Sequence, residues 1–205
     1  IIVEASVGDA AKAIVALDEE LIEAPVAIVA PVVESTEVND IPFLLDNYIA
    51  QGDAEQKVLT KVGRFDANIN VLTELERYPV DKQVTKSEAE ALLQYSGWGG
   101  LLDLMASGAR QETLQTLMPI QSLQEAQESA LTAFYTPDDV VIELWDCLLK
   151  KGYTGGRVME PSAGTGIFLN HRPHTLDDRQ HFTAVEMDTV AARILSLTNP
   201  KATVL

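Results

Sequence analysis

From Ile41 to about Ala133 the apolar residues recur mostly at helical spacing, and beyond Ala133 helical and strand-like runs alternate. Phe65, Ile69, Leu72 and Leu75 share one helical face, and Pro79 closes that segment. Thr85 followed by Glu88 has capping-box spacing, in which the hydroxyl and the carboxylate each satisfy a backbone N–H beside the other. The helix it starts turns Ala89, Leu92 and Leu93 inward. It should end at Gly97-Trp98-Gly99-Gly100, where glycines release the chain from helical geometry and Trp98 can serve as a buried anchor. Ser122 and Glu125 repeat the capping spacing and predict a helix through Leu131.

Past Ala133, Thr136 can cap a helix with Pro137 at its first position and Asp139 at its third. Val140, Val141, Leu144, Trp145, Leu148 and Leu149 form its apolar stripe, and Gly152 stops it. A strand over Arg157–Glu160 follows, then a glycine-bearing turn and a second strand from Phe182 to Met187. A helix from Thr189 to Leu197 and the start of a third strand at Ala202–Leu205 complete the order. This is an α/β pattern, the opening half of a parallel sheet. Three strands of a larger sheet leave a long unpaired edge. Residues 134–205 are therefore expected to fold poorly without further strands or a partner, unless the helices of 41–133 support them.

Upstream, Ala10, Ala11, Ile14, Leu17 and Leu21 have the spacing of a short amphipathic helix, and Pro25 and Pro31 interrupt an Ala/Val stretch that should run extended. Residues 1–40 carry nine acids and one base, Lys12. They read as an acidic linker-like leader, with an arm that binds a protein partner as the alternative. The chain thus divides into the leader (1–40), a helical lead-in (41–133) and an α/β portion (134–205).

Composition narrows the function classes. With 46% hydrophobic and 22% charged residues, neither wholesale disorder nor a collagenous repeat is tenable. No apolar run reaches the roughly 18 residues of a spanning helix, and no basic stretch precedes an apolar one, so neither membrane partner nor secretory signal is expected. Thirty-one acids against fifteen bases give a net charge of −16. That argues against this chain alone gripping nucleic acid, because phosphate binding relies on Lys and Arg displacing counterions. The single cysteine, Cys147, excludes a disulfide framework and should sit buried on its apolar helix. A reducing cytoplasm is the simplest location. His171, His174 and His181 lack carboxylate or thiolate partners at ligand spacing, so no metal is expected.

The chemistry centres on Glu160-Pro161-Ser162-Ala163-Gly164-Thr165-Gly166. Gly164 and Gly166 permit a tight strand-to-helix turn and close approach of a ligand to the backbone. A glycine pair alone also serves packing, and the Lys-Ser/Thr ending of a phosphate loop is absent. Downstream, Val185-Glu186-Met187-Asp188 places two carboxylates at the end of the second strand, where an acid can accept hydrogen bonds from ribose hydroxyls. Upstream stands Phe134-Tyr135-Thr136-Pro137.

In that order the three segments resemble the S-adenosyl-L-methionine-binding half of N6-adenine DNA methyltransferases. The resemblance implies the N-terminal half of a Rossmann-like class I methyltransferase sheet. Within it, Tyr135, Thr136 and Pro137 would close over the methionine part of the cofactor. Glu160, Pro161, Ser162, Gly164 and Gly166 would carry its amino-acid portion, with Glu186 on the ribose and Asp188 toward the adenine. Upstream, Asp66-Ala67-Asn68-Ile69, Thr85-Lys86-Ser87-Glu88 and Tyr95-Ser96-Gly97-Trp98-Gly99-Gly100-Leu101 resemble the lead-in of large phage- and plasmid-borne methylase-helicase proteins, defence-against-restriction proteins among them.

One departure limits that implication. The family's catalytic Asn/Asp-Pro-Pro-Tyr/Phe segment, which holds a flipped base for methyl transfer, does not occur in the sequence. Asp40-Ile41-Pro42-Phe43 is a decoy with one proline, upstream of the glycine turn. No catalytic residue is therefore assigned, and the chain is expected to stop before the catalytic strand. The expectation is the N-terminal part of a DNA adenine-N6 methyltransferase that protects phage or plasmid DNA from restriction. DNA would be contacted by parts beyond residue 205, in the host cytoplasm, with carriage in the virion as an alternative location. The contrasting reading is a non-catalytic interaction or packaging module that keeps the fold.

Overall fold

The computed structural model describes residues 2–3, 48–50, 59–79 and 82–205. The expected leader helix, the Ala/Val/Pro stretch and Asp40-Ile41-Pro42-Phe43 lie outside the described residues. Strand β1 (Ile2–Val3) comes first. The helical region comprises α1 (Lys61–Glu76), α2 (Lys86–Leu92), α3 (Leu102–Met105), α4 (Gly108–Leu117) and α5 (Ile120–Ser129). Helix α6 (Asp138–Lys150) leads to β2 (Gly156–Glu160), α7 (Ile167–Asn170), a 3-10 turn over His174–Arg179, β3 (Gln180–Ala184), α8 (Thr189–Thr198) and β4 (Thr203–Val204).

Helix α1 forms where Phe65, Leu72 and Leu75 were placed on one face. All three are buried, and Thr60 caps the start by accepting from the Gly63 N–H. The Thr85–Glu88 capping box is present in both directions at α2, and Lys82 pairs with the Glu88 carboxylate at 2.7 Å. That pairing and the Thr85 N–H hold the Glu88 carboxyl below the usual glutamate range.

Two caps differ from expectation. Helix α5 begins after Pro119, whose extended ψ of 148° sets the boundary, so Ser122 and Glu125 lie inside the helix, where Glu125 accepts from the Gln121 side chain. Likewise Pro137, at ψ 145°, is the N-cap of α6, with no side-chain cap bond from Thr136. Asp138 and Asp139 occupy the first turn, where negative charge suits the helix dipole. The stripe of α6 is also narrower than read. Val141 and Trp145 are buried, whereas Val140, Leu144 and Leu149 are exposed. Cys147 is exposed, not buried, because it lies off the face that Val141 and Trp145 turn inward.

The sheet has the order β1-β2-β3-β4. β2, β3 and β4 run parallel, with Val158 beside Phe182 and Ala184 beside Val204. Regular pairing in β3 spans Gln180–Ala184, not Phe182–Met187. The chain then bends at Val185–Asp188, where backbone and side-chain groups bond one another locally. A long unpaired sheet edge was expected, and the outer edge of β2 is in part covered. It pairs antiparallel with β1, Ile2 against Met159 and Val3 against Val158, which covers two of its five residues.

Two apolar cores meet at α8. Ala191, Ile194 and Leu197 join the helical core around Trp98, Leu92 and Phe65, while Leu195 joins Val141, Trp145, Val158 and Phe182 under the sheet. Helical and sheet regions therefore share one helix and exclude water together. Residues 48–50 strap across the same seam. Tyr48 donates its N–H to Thr198 O, Ala50 donates to Asn170 O, and the buried Arg172 guanidinium donates to Tyr48 O. No helix among the described residues is long and apolar enough to cross a membrane.

Candidate functional site

The candidate site forms at the carboxyl ends of β2 and β3, the rim at which open parallel sheets take ligands. Leaving β2, Glu160 is buried and Pro161 and Ser162 are exposed. Burial pushes the Glu160 carboxyl up, and the Ser162 N–H opposes that shift. The turn is tied to the second strand by Val185 N–H to Glu160 O at 2.8 Å and Ala163 N–H to Val185 O at 3.1 Å. Gly164 and Gly166 have φ of +55° and +88°, the left-handed region that glycine enters without a Cβ penalty. Gly166 caps α7, and a Cβ there would lie 3.3 Å from Leu195.

The acid turn faces this loop. Glu186 accepts from the Gly164 N–H at 2.7 Å with one oxygen and from the Asp188 N–H at 2.7 Å with the other. Asp188 caps α8, accepting from Val190 N–H at 2.9 Å and Ala191 N–H at 3.2 Å on one oxygen. Its second oxygen accepts from the Tyr95 hydroxyl at 2.9 Å. Between the two acids Met187 stands 91% exposed, an uncovered apolar side chain in the acid turn.

Tyr135 sits between two glycines far apart in sequence. A Cβ on Gly164 would meet its Cε1 at 2.3 Å, and one on Gly97 would meet its Cε2 at 2.9 Å. The ring thus fills space that any other residue at either position would occupy. Burial raises the Tyr135 phenol far above its ordinary range, reinforced by the charges of Asp188 and Glu186 and opposed by Arg64. The phenol is therefore a neutral O–H at physiological pH. Thr136 is half-buried and Pro137 exposed, so of that segment Tyr135 alone is wedged against the glycine turn.

The Gly-Trp-Gly-Gly loop seats this segment. A Cβ on Gly99 would lie 1.8 Å from Ala133 O, and the Gly100 N–H donates to Ala130 O at 2.9 Å. Trp98 is fully buried and packs edge-on against Phe65 and Tyr95. Its indole N–H lacks an acceptor in hydrogen-bond geometry, yet it opposes the rise that burial and Asp188 impose on the Tyr95 phenol. Asn68, also fully buried, holds the loop from α1. Its amide donates to Gly97 O at 2.8 Å and its carbonyl accepts from the Ser96 N–H at 3.0 Å. Arg64 adds two bonds to Ser96.

Sequence reasoning assigned no role to Asn68, Arg64 or Tyr95. Asn68 carried a readable signal, a polar residue on the apolar face of Phe65 and Leu72. Tyr95 opens the segment that runs to Leu101, but nothing in the sequence signalled its hydrogen bond, because its partner lies 93 residues away. The histidines do not converge: His171 pairs with Asp138 at 3.4 Å, His181 lies on β3 and His174 on the 3-10 turn. Among the described residues no three His, Cys, Asp or Glu side chains cluster as metal ligands.

Fold and site together define an α/β protein whose small parallel sheet presents a glycine turn and an acid turn at one rim, with the Tyr135 ring packed against the glycine turn. Over 75 residues, 37% of this chain, it is 32% identical to Defense against restriction protein B of Escherichia phage P1. The similarity relates the chain distantly to a phage antirestriction protein and spans 3% of that protein's length. No protein-family model matches the chain, and no solved structure matches it.

Proposed function

We propose that this chain is the S-adenosyl-L-methionine-binding part of a DNA adenine-N6 methyltransferase that shields phage or plasmid DNA from restriction. The observation that carries the reading is the convergence of Tyr135, Gly164 and Glu186 at one sheet rim, from three segments that are far apart in sequence. The donor set suits the cofactor. Glu186 offers a strand-end carboxylate for ribose hydroxyls, the Tyr135 ring backs the turn at Gly164, and Met187 offers an apolar cover for a base. Glu160, Pro161, Ser162 and Gly166 shape the same turn, Tyr135, followed by Thr136 and Pro137, would cover the methionine part, and Asp188 fixes the acid turn on the adenine side. When bound, S-adenosyl-L-methionine supplies the electrophilic methyl group. The similarity to a phage antirestriction protein supports the biological setting. The net charge of −16 fits a chain whose DNA contacts lie in other parts of the protein.

The alternative, a non-catalytic interaction or packaging module with a methyltransferase-like fold, is favoured by one observation. Both Glu186 oxygens are already engaged by backbone N–H groups.

Calorimetric titration of the 205-residue chain with S-adenosyl-L-homocysteine separates the two. The methyltransferase reading expects saturable binding, weakened about thirtyfold by Glu186→Ala, the loss of hydrogen bonds to a charged acceptor. Absence of binding at millimolar ligand refutes it and leaves the interaction module.

A further inference from the structure

The Tyr95 hydroxyl links the helical region to the acid turn. It belongs to a side chain that is 2% exposed and held by Trp98 at a ring-centroid distance of 6.2 Å. From it a continuous series of contacts reaches the glycine loop. Tyr95 donates to Asp188, the Asp188 N–H donates to Glu186 and the Gly164 N–H donates to the other Glu186 oxygen, at 2.9, 2.7 and 2.7 Å. The remaining Asp188 oxygen is spent on the first turn of α8. Asp188 is thus held from both sides, by a helix end and by a phenol, and its backbone N–H is aimed at Glu186.

We propose that Tyr95 is a positioning residue for ribose recognition: through Asp188 it fixes the rotamer of Glu186, so the helical lead-in sets the affinity of the sheet rim for an adenosine-bearing ligand. The inference rests on the reading of the site given under Proposed function and deepens it. Its physical basis is preorganisation. A carboxylate that must meet ribose hydroxyls binds more tightly when its orientation is already fixed, because less side-chain freedom is lost on binding. Removing the Tyr95 hydroxyl leaves one Asp188 oxygen without its donor and frees the turn to re-aim Glu186. Burial and the Asp188 charge keep the phenol protonated, so the donor persists across the neutral range.

The test titrates the full 205-residue chain with S-adenosyl-L-homocysteine and with its 2′-deoxyribose analogue, in wild type, Tyr95→Phe and Val84→Ala. Val84 lies in the same helical core, so Val84→Ala reports destabilisation without touching the acid turn. The expected wild type prefers the ribose ligand. Tyr95→Phe weakens S-adenosyl-L-homocysteine about tenfold, the scale of one hydrogen bond to a charged group, and brings the ribose/deoxyribose ratio toward one. Val84→Ala lowers the melting temperature and keeps both affinity and ratio. Wild-type binding with an unchanged Tyr95→Phe ratio overturns the proposal, whether affinity is kept or lost equally for both ligands. If wild type binds neither ligand, the functional reading falls and takes this inference with it. Should Tyr95→Phe not fold, Asp188→Ser serves: serine still caps α8 but lacks the oxygen that Tyr95 meets. It should compress the ratio likewise, and a wild-type ratio there overturns the proposal.

Discussion

Replacing Gly164 by alanine tests the contact on which the candidate site is built. The added methyl would lie 2.3 Å from Tyr135 Cε1 and 2.9 Å from Cδ1, on a backbone at φ +55°. Two costs follow. Holding alanine in the left-handed region costs about 1 kcal/mol. Carbon contacts are optimal near ~3.5–4.0 Å, so the ring must retreat by more than about 1 Å. Gly97 backs its opposite edge, with a virtual Cβ 2.9 Å from Cε2, so retreat means leaving the seat. Overpacking of this kind costs about 1–3 kcal/mol, which brings the total to about 2–4 kcal/mol. Urea unfolding followed by tryptophan fluorescence reports both cores, since Trp98 lies in one and Trp145 in the other. In a Tyr135→Ala background the steric part should vanish and leave about 1 kcal/mol, so the double-mutant cycle should show coupling of about 1–3 kcal/mol. Strict additivity, or a loss below about 0.5 kcal/mol for Gly164→Ala alone, would show that Tyr135 does not occupy the space beside Gly164.

Other consequences concern the supports of the site and its surroundings. Asn68→Ala leaves Gly97 O and the Ser96 N–H without their partner in a buried place, and should cost about 2–4 kcal/mol in chemical denaturation. Glu88 has a depressed folded-state pKa, so its contribution to α2 is present above the ordinary glutamate range and is lost as pH falls through the folded value. Glu88→Gln should therefore lower the melting temperature at neutral pH and lose that effect in acid, as pH falls through the folded value, and an effect that does not change with pH would contradict the pairing with Lys82 and Thr85. Cys147, exposed on α6, should be alkylated by iodoacetamide in the native protein as fast as in urea, which mass spectrometry reads directly.

The sequence by itself determined the features that depend on neighbours along the chain. Helix α1 follows from the spacing of Phe65, Leu72 and Leu75, and the capping box from Thr85 and Glu88. The parallel order of β2, β3 and β4 follows from strands separated by helix and glycine turn. Those signals lie within a few residues, where periodicity and hydrogen-bond geometry act. Local signals failed where a proline competed with a hydroxyl. Pro119 and Pro137 set helix starts that Ser122 and Thr136 were expected to set, because an extended ψ at proline places the boundary there.

Tertiary structure decided what distant segments do to one another. α8 turns Ile194 to the helical core and Leu195 to the sheet core, so the helices of the lead-in support a sheet that has few strands of its own. β1 pairs with an edge strand that no local pattern connects to it. The glycines at 97 and 164 read as turn formers. Their second role, leaving room for the two edges of the Tyr135 ring, exists only because the fold brings three loops to one point. Tyr95 had no readable role because a hydrogen bond across 93 residues leaves no periodicity or spacing in the chain, and only packing brings donor and acceptor together.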